Sequence, residues 1–250
     1  MTSPVLTRAP WRREGDVLVS PALSGRGVVA AFTRRPSGSM GGSATDPATA
    51  ARDRNAVARR LGFETVVRVR QVHGDRVLRA DGPFPEKWPE ADALWTDRAG
   101  VLLGVVAADC VPVLVADDEG HIGAAHAGWE GTTKEVARRL VAALVAAGAD
   151  PRRMAASLGP SIGPCCYAVG PERVAAIRER LGTAAERALV AHEQGTAFDL
   201  WTANADQLES EGVGRVEVSG TCTRCGGEDL WSRRGGDIGL LGIAVIGRRA

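Results

Sequence analysis

Residues 101–116 form the longest apolar run of the chain, VLLGVVAADCVPVLVA, and a carboxylate and a thiol, Asp109 and Cys110, interrupt it. The residues on both sides of this pair are rich in β-branched side chains. That pattern predicts two strands, 101–107 and 111–116, each covered on both faces. As a helix, the run is too short to cross a bilayer.

The rest of the chain mixes strand-like and helix-like segments without a regular order. Further strands are predicted at 16–20, 27–32, 64–74, 76–81, 121–126, 154–158, 215–219 and 240–246. Helices are predicted at 46–62, 132–148, 171–181 and 199–211, and a weak helix or a loop at 183–195. Because strands outnumber helices and do not alternate strictly with them, the sequence predicts a single mixed α/β domain with layered sheets.

Two of the predicted helices carry clear signals at their ends. Asp46 is a typical N-cap, Pro47 suits the first helical position, and Gly62 is a typical stop signal. Thr132 and Glu135 have the spacing of a capping box, which predicts that the next helix begins at Thr132.

Charge and composition exclude several functional classes. A formal net charge of +1 gives no general attraction to nucleic acid or to an anionic membrane. The first residues, MTSPVLTRAPWRREGD, lack the apolar core of a signal peptide, so a cytoplasmic location is expected. In that compartment the five cysteines are expected to be thiols or metal ligands.

Three residues that follow predicted strands carry the side chains that bind transition metals. His73 and His126 lie at strand ends near glycine, and Cys110 ends another strand, with spacings of 37 and 16 residues. Two imidazoles and a thiolate suit Zn²⁺ and leave a fourth position open for water or substrate. The alternative is a buried thiol beside two histidines in turns. The two other histidines, His121 and His192, are interpreted as solvated and surface residues.

Five other side chains give weaker signals. Asp109 either orients one of the histidines or caps the turn between two strands. Cys222 and Cys225 form a lone C-x-x-C without a second pair at the spacing of a zinc site, so they are interpreted as structural. Cys165 and Cys166 are interpreted as small buried residues in a loop rich in glycine and proline.

Several longer motifs resemble those of one known family. They are QVHGDRV, ADALWTDRAGVLLGVVAADCVPVLVAD, GAAHAGWEGT, SLGPSIGPCCYAVGPE and CTRCGGEDLWSRRGGDIG, in this order along the chain. With these motifs the chain resembles the laccase-domain, or polyphenol oxidase, family, whose members are regarded as zinc-dependent purine nucleoside phosphorylases.

The resemblance implies a fold, a metal site and an activity. The fold is a single-domain α/β/β/α sandwich with mixed sheets, here expected over residues 27–250 after an N-terminal segment, 1–26. The metal ligands are His73, Cys110 and His126. The activity is phosphorolysis of adenosine, inosine and guanosine to ribose 1-phosphate and free base, with cleavage of methylthioadenosine and some adenosine deamination. The expected partners are therefore a purine nucleoside and phosphate, with no nucleic acid and no membrane.

The resemblance also suggests which residues act on the substrate, and where this chain departs from the family. Cys110, His126 and Arg34 are the candidate catalytic residues. Arg34, Arg233 and Arg234 are the candidates for phosphate binding, because they match the family's Thr-Arg and Tyr-Arg-Arg motifs. After His-Ala-Gly-Trp the family usually has arginine, whereas this chain has Glu130, and the family's Gly-rich segment is truncated here to GGSATDP.

Two alternative functions are weighed against the phosphorylase. One is a copper-dependent polyphenol oxidase, since copper exceeds zinc in intrinsic affinity for such ligands. Four histidines in the whole chain are too few for a multicopper centre, although two imidazoles and a thiolate suffice for a single copper ion. The other is a catalytically weakened partner protein, which the Glu130 substitution suggests. The oligomeric state is not predicted.

Overall fold

The computed structural model describes residues 5–25, 27–84, 87–227 and 229–250. Its helices are α1 (Pro47–Leu61), α2 (Trp129–Thr133), α3 (Val136–Ala146), α4 (Pro171–Leu181), α5 (Ala185–Ala188) and α6 (Leu200–Ser210). Its strands are β1 (Val5–Arg8), β2 (Arg12–Glu14), β3 (Val17–Val19), β4 (Val28–Thr33), β5 (Val66–Val67), β6 (Val77–Arg79), β7 (Ala93–Thr96), β8 (Leu102–Ala107), β9 (Val111–Ala116), β10 (Ile122–Ala127), β11 (Ala155–Leu158), β12 (Ala168–Val169), β13 (Leu189–His192), β14 (Gly195–Phe198), β15 (Arg215–Val218) and β16 (Gly242–Arg248).

These strands form two large mixed sheets and one small antiparallel sheet. The seven-stranded sheet has the order β1-β15-β11-β9-β10-β7-β6, and the six-stranded sheet has the order β2-β3-β4-β16-β8-β5. Strands β1, β15 and β11 are parallel to one another, whereas β11, β9, β10 and β7 are antiparallel. The small sheet, β12-β14-β13, lies outside both.

The two large sheets pack face to face, and helices cover their outer faces. Strands β8 and β16 of one sheet contact β9 and β10 of the other. A buried apolar cluster that includes Phe32, Leu103 and Ile122 fills the space between them. Helices α3 and α6 cover the seven-stranded sheet, and α1 packs on the six-stranded sheet. The single-domain α/β/β/α sandwich with mixed sheets is thereby confirmed.

The interrupted apolar run lies at the centre of this sandwich. Every residue of β8 and β9 is buried, as predicted for strands covered on both faces. The two strands nevertheless belong to different sheets, so the chain crosses between the layers at residues 108–110. Asp109 has a φ of 90° at this crossing, a conformation that few residues other than glycine adopt. Asp109 and Cys110 therefore lie where the chain changes layer, at the edge of the core.

One helix begins as predicted and another does not. The Asp46 carboxylate accepts the amide hydrogen of Thr49, and Gly62 ends α1 in the left-handed conformation, which confirms both signals. The helix predicted at 132–148 is wrong at its start. Its first part is the separate helix α2, and α3 begins after Glu135, which has a φ of 62° and no capping hydrogen bond from its side chain. The predicted capping box is therefore not formed.

Three further segments differ from the predictions. The strand predicted at 64–74 shortens to β5, because residues 71–74 form a turn that a buried carboxylate holds in place. The strand predicted at 76–81 shortens to β6. The segment 183–195 contains α5 and β13, and β14 begins at its last residue to form a hairpin with β13.

The N-terminal strands join both large sheets. Strand β1 pairs with β15 in one sheet, and β3 pairs with β4 in the other. Residues 1–4 and Arg26 of the predicted N-terminal segment lie outside the described residues, and the division at residue 26 stays a prediction. No helix in the described part of the chain is both long and apolar enough to span a membrane.

Candidate metal centre

The structure brings together the three residues that the sequence identifies as metal ligands. Cys110 lies on the crossing between the sheets, His126 is on β10, and His73 is in the turn after β5. Their ligand atoms all lie within 4.8 Å of one another. The two imidazole rings are nearly perpendicular, with centroids 4.9 Å apart. His126 is buried and His73 is exposed, so the cluster lies at the boundary between the core and solvent.

A buried carboxylate that the sequence analysis did not identify positions both histidines. Asp92 has no exposed surface, and its Oδ1 atom lies 2.9 Å from Nδ1 of His126. Its two oxygens also accept the backbone N–H groups of Val72, His73 and Gly74 at 2.7–3.0 Å. One side chain therefore orients the ring of His126 and fixes the turn that carries His73. The only sequence signal was its place just before a strand, in the motif ADALW.

The groups of the cluster shift one another's ionisation. Burial raises the pKa of the Cys110 thiol, but the charge of His126 and hydrogen bonds from both histidines outweigh burial and lower the pKa to about 6. Burial lowers the pKa of His126, but the charge of Cys110 and the bond to Asp92 outweigh it and raise the pKa to about 9. The environment thus favours the Cys110 thiolate, which is the form that binds metals.

This donor set fits a zinc ion. Two imidazole nitrogens and one thiolate sulfur are borderline-soft ligands, and a carboxylate that holds the second nitrogen of a liganding histidine is typical of zinc sites. His126 uses Nδ1 for Asp92, which leaves Nε2 for the metal. Three protein ligands leave a fourth coordination position, as in catalytic rather than structural zinc sites.

The cluster borders a cavity of about 520 Å³ with aromatic and cationic walls. The lining residues include Trp129, Tyr167, Arg173, Arg233 and Arg234. The Arg173 guanidinium lies 4.8 Å from the ring centre of Trp129, and that of Arg234 lies 5.2 Å from the ring centre of Tyr167. The predicted residues Arg233 and Arg234 are therefore at the site. Arg173 was missed, because it is one of many arginines and lies just outside the motif that ends at Glu172.

A second cavity, of about 570 Å³, reaches the cluster from another side. It shares His73, Cys110 and Arg233 with the first cavity, and it also contains Arg68, whose guanidinium lies 4.3 Å from the ring centre of Trp88. The candidate metal ligands consequently lie between two compartments, and Arg233 is the arginine common to both.

Two other residues of the resemblance have clear positions. Arg34 lines neither of the two cavities among the described residues. Its side chain is 2% exposed and donates hydrogen bonds to the backbone oxygen of Gly15 and to the carboxylate of Asp229. Its role in phosphate binding stays a prediction. Glu130 lines the first cavity, and its carboxylate lies 3.1 Å from the ammonium group of Lys134.

Asp109 stabilises the loops around the site, and its carboxylate has no hydrogen bond to a histidine among the described residues. Its carboxylate accepts hydrogen bonds from the hydroxyls of Thr223 and Ser232, both at 2.7 Å, and from the backbone N–H of Arg234 at 2.7 Å. Of the two interpretations from sequence, the one in which Asp109 caps the turn therefore agrees better with the structure. The carboxylate that orients a histidine is Asp92.

The structure also brings the four remaining cysteines together. The sulfur atoms of Cys165, Cys166, Cys222 and Cys225 all lie within 4.8 Å of one another. The interpretation that the C-x-x-C pair lacks a second pair is wrong. Cys165 and Cys166, from a loop about sixty residues earlier, lie next to Cys222 and Cys225 in the folded chain. Cys165 is exposed rather than buried. Burial raises the pKa of Cys165 and Cys166, the latter to about 11, whereas backbone hydrogen bonds outweigh burial and lower the pKa of Cys222.

The two remaining histidines lie outside the candidate metal centre. The Nδ1 atom of His121 lies 2.7 Å from the Asp117 carboxylate, which also accepts three backbone N–H groups of its own turn. His192 contacts the backbone oxygen of Cys165 at 3.3 Å.

Comparison with known proteins identifies relatives along nearly the whole chain. The sequence profile of the family described as "Multi-copper polyphenol oxidoreductase laccase" matches residues 34–248. A protein of Deinococcus radiodurans named purine nucleoside phosphorylase is 40% identical over 87% of this chain and 88% of its own length. One of Xylella fastidiosa with the same name is 36% identical over 88% and 87%. The crystal structure of YlmD from Geobacillus stearothermophilus has a TM-score of 0.84 and 31% identity, covering 96% of this chain and 99% of that chain.

Proposed function

Since the chain belongs to the laccase-like polyphenol oxidoreductase family, whose relatives include proteins named purine nucleoside phosphorylase, we propose that it is a zinc-dependent purine nucleoside phosphorylase. The proposed substrates are adenosine, inosine and guanosine, with phosphate as the second substrate. Methylthioadenosine phosphorolysis and adenosine deamination are proposed as side activities. The expected location, the cytoplasm, stays a prediction.

One observation carries the proposal. His73, Cys110 and His126 converge, and the first two line a cavity that presents two aromatic rings and three arginines. A purine nucleoside combines a flat aromatic base with a polar sugar, and phosphate is an anion at neutral pH. Aromatic faces and guanidinium groups are the protein groups that bind these two kinds of ligand.

The protein's own residues account for the binding of both substrates. Trp129 and Tyr167 offer rings against which the purine packs. Arg233 and Arg234 offer planar guanidinium groups for bidentate contact with phosphate, and Arg173 adds a third positive charge. In the reaction a phosphate oxygen forms a bond to C1′ of the ribose while the bond from C1′ to the base nitrogen breaks and its electron pair leaves with the base.

His73, Cys110 and His126 hold the metal in this proposal. When bound, a zinc ion supplies Lewis acidity at the junction of the two cavities. Asp92 keeps the His126 ring oriented, and the Cys110 thiolate supplies negative charge to the site. The proposed catalytic contribution of Cys110 and His126 is therefore through metal binding. The sequence-based role of Arg34 in phosphate binding is not part of this proposal, because Arg34 is buried and, in the described part of the chain, lines neither cavity.

A nucleoside assay with and without phosphate tests the proposal. Purified protein is incubated with adenosine, inosine or guanosine, and ribose 1-phosphate and free base are quantified by chromatography. We expect equal amounts of both products, formed only when phosphate is present. We expect the activity to be lost after chelation and restored by zinc. Free base and ribose formed without phosphate would reject the phosphorylase, because water would then be the nucleophile. Turnover of a phenolic substrate that only copper restores would favour the oxidase. Absence of turnover in a zinc-loaded protein would favour a partner protein.

A further inference from the structure

The second cysteine cluster combines two pairs of residues from separate loops. Cys165 and Cys166 lie in the loop 159–167 that follows β11, and Cys222 and Cys225 lie in the loop 219–241 that follows β15. Because β11 and β15 are adjacent parallel strands, both loops leave the same edge of the sheet. We propose that these four cysteines form a second zinc site, a tetrathiolate centre that joins the two loops beside the candidate active site.

Tight turns direct both pairs of side chains to one point. The N–H of Cys166 donates to the carbonyl of Gly163 at 2.9 Å, and the N–H of Gly226 donates to the carbonyl of Cys222 at 2.7 Å. A Cβ atom at Gly226 would lie 2.4 Å from that carbonyl oxygen, and one at Gly163 would lie 2.6 Å from the Trp201 ring. Only glycine permits these approaches, so the turns depend on both glycines.

The separations of the sulfur atoms suit a tetrahedral ion. Four sulfurs at a Zn–S distance of about 2.3 Å lie about 3.8 Å from one another. Here the Sγ atoms of Cys165 and Cys225 are 3.6 Å apart, and no pair of the four exceeds 4.8 Å. Adjustments of about 1 Å or less therefore complete the geometry without moving a strand.

A backbone amide directed at sulfur is a second, independent feature of this cluster. The N–H of Gly163, from the first loop, donates to Sγ of buried Cys222, in the second, at 3.4 Å. Hydrogen bonds from backbone amides stabilise a thiolate, which is the charge state that zinc requires. The same amide also connects the two loops before any ion binds.

The proposed site lies next to the machinery of the first one. Thr223, between Cys222 and Cys225, donates its hydroxyl to Asp109, the neighbour of Cys110. Tyr167, the neighbour of Cys166, lines the candidate active cavity. A tetrathiolate zinc would therefore hold the wall of that cavity in place, as structural zinc sites with four protein ligands do.

Zinc stoichiometry in a set of single variants tests this inference. We expect about two zinc ions per wild-type chain and about one in Cys222→Ser, Cys225→Ser and Cys110→Ala, because each variant removes a ligand from only one of two sites. Arg224→Ala is the matched control, since this exposed residue lies within C-x-x-C, and it is expected to keep both ions. The readout is elemental analysis of the purified full-length protein.

X-ray absorption at the zinc edge identifies the ligands of each ion. In Cys110→Ala we expect a shell of sulfur alone at about 2.3 Å. If the serine variants do not fold, the ligand shell of the wild-type protein is the test. With both sites occupied, zinc has more sulfur than imidazole nitrogen ligands, whereas with the first site alone it has fewer. The inference would be overturned if the wild-type chain bound only one zinc ion and Cys225→Ser retained it. It would also be overturned if a disulfide between Cys165 and Cys225 were found in place of a second ion. Loss of the first site alone would leave the sulfur-only shell intact.

Discussion

The Nδ1 atom of His126 lies 2.9 Å from Oδ1 of Asp92, and the same carboxylate accepts the backbone N–H of His73 at 3.0 Å. Asp92 therefore connects two of the three candidate metal ligands through hydrogen bonds. His126 is on a strand and His73 is in a turn, so the carboxylate holds residues of two different kinds of element at the same site. This arrangement makes Asp92 a positioning residue, and we expect its replacement to change metal affinity.

Asp92→Asn is expected to weaken zinc binding about 10- to 100-fold, the usual loss when a partner of a liganding histidine is replaced. The asparagine keeps the shape of the side chain and one acceptor oxygen, but it loses the negative charge that favours the required ring orientation. Zinc affinity is measured by competition with a chromophoric chelator. Asp97→Asn, at a half-buried aspartate that pairs with Arg79 outside the metal centre, is the control. Equal affinity in both variants would remove Asp92 from the metal centre.

His126→Ala and Cys110→Ala are each expected to lose the zinc of the first site, because two remaining ligands bind the ion weakly. His121→Ala is the matched control, since His121 is also a histidine that contacts an aspartate but lies outside this cluster. Elemental analysis after dialysis against a chelator gives the comparison. Retention of the ion in Cys110→Ala together with loss in His121→Ala would place the site elsewhere.

Much of this site is predictable from sequence, for a physical reason. Cys110 and His126 lie at the ends of buried strands, where apolar patterning locates the chain and a polar side chain has few structural uses. Asp92 and Arg173 were not predictable in the same way. The function of Asp92 depends on accepting hydrogen bonds from a turn about twenty residues earlier, and a single sequence does not show which turn faces a given carboxylate.

The fold shows the same limit. The period of the apolar residues predicts most strands and helix ends, but it does not show that β8 and β9 belong to different sheets. It also does not show that loops after β11 and β15 bring four cysteines together, because adjacency of parallel strands is a property of the sheet. The break at Glu135 is a tertiary effect that overrides a local capping pattern.

Glu135 adopts the left-handed conformation between α2 and α3, with φ 62° and ψ 39°. Glu135→Gly is therefore expected to be more stable than Glu135→Ala by about 1 kcal/mol, because both variants lose the carboxylate but only alanine retains a strained Cβ. Chemical denaturation of both variants measures the difference. At Ala142, an exposed position within α3, substitution by glycine is expected to cost about 1 kcal/mol. If glycine were less stable than alanine at both positions, residue 135 would be helical.

Glu130 places a carboxylate in the cavity that is proposed to bind phosphate. Glu130→Gln is expected to lower the KM for phosphate by up to about fivefold, the scale of one partly exposed charge interaction, and the effect is expected to decrease with added salt. Glu179→Gln, at an exposed position on α4, is the control. Steady-state kinetics at low and high ionic strength give the result. A rise in the KM for phosphate would instead assign Glu130 a supporting role in binding.

Arg233 lines both cavities, one of which is also lined by all three candidate metal ligands, so we expect it to hold phosphate. Arg233→Lys keeps the charge but loses the planar pair of donors, so the KM for phosphate is expected to rise about tenfold to a hundredfold, with less change for adenosine and no change in zinc content.

Arg34→Lys tests the sequence-based assignment in the same assay. Since the buried Arg34 guanidinium bonds Gly15 and Asp229, its replacement is expected to lower Tm and leave the phosphate kinetics unchanged. A raised KM for phosphate in Arg34→Lys without loss of stability would instead move the phosphate site from Arg233 to Arg34.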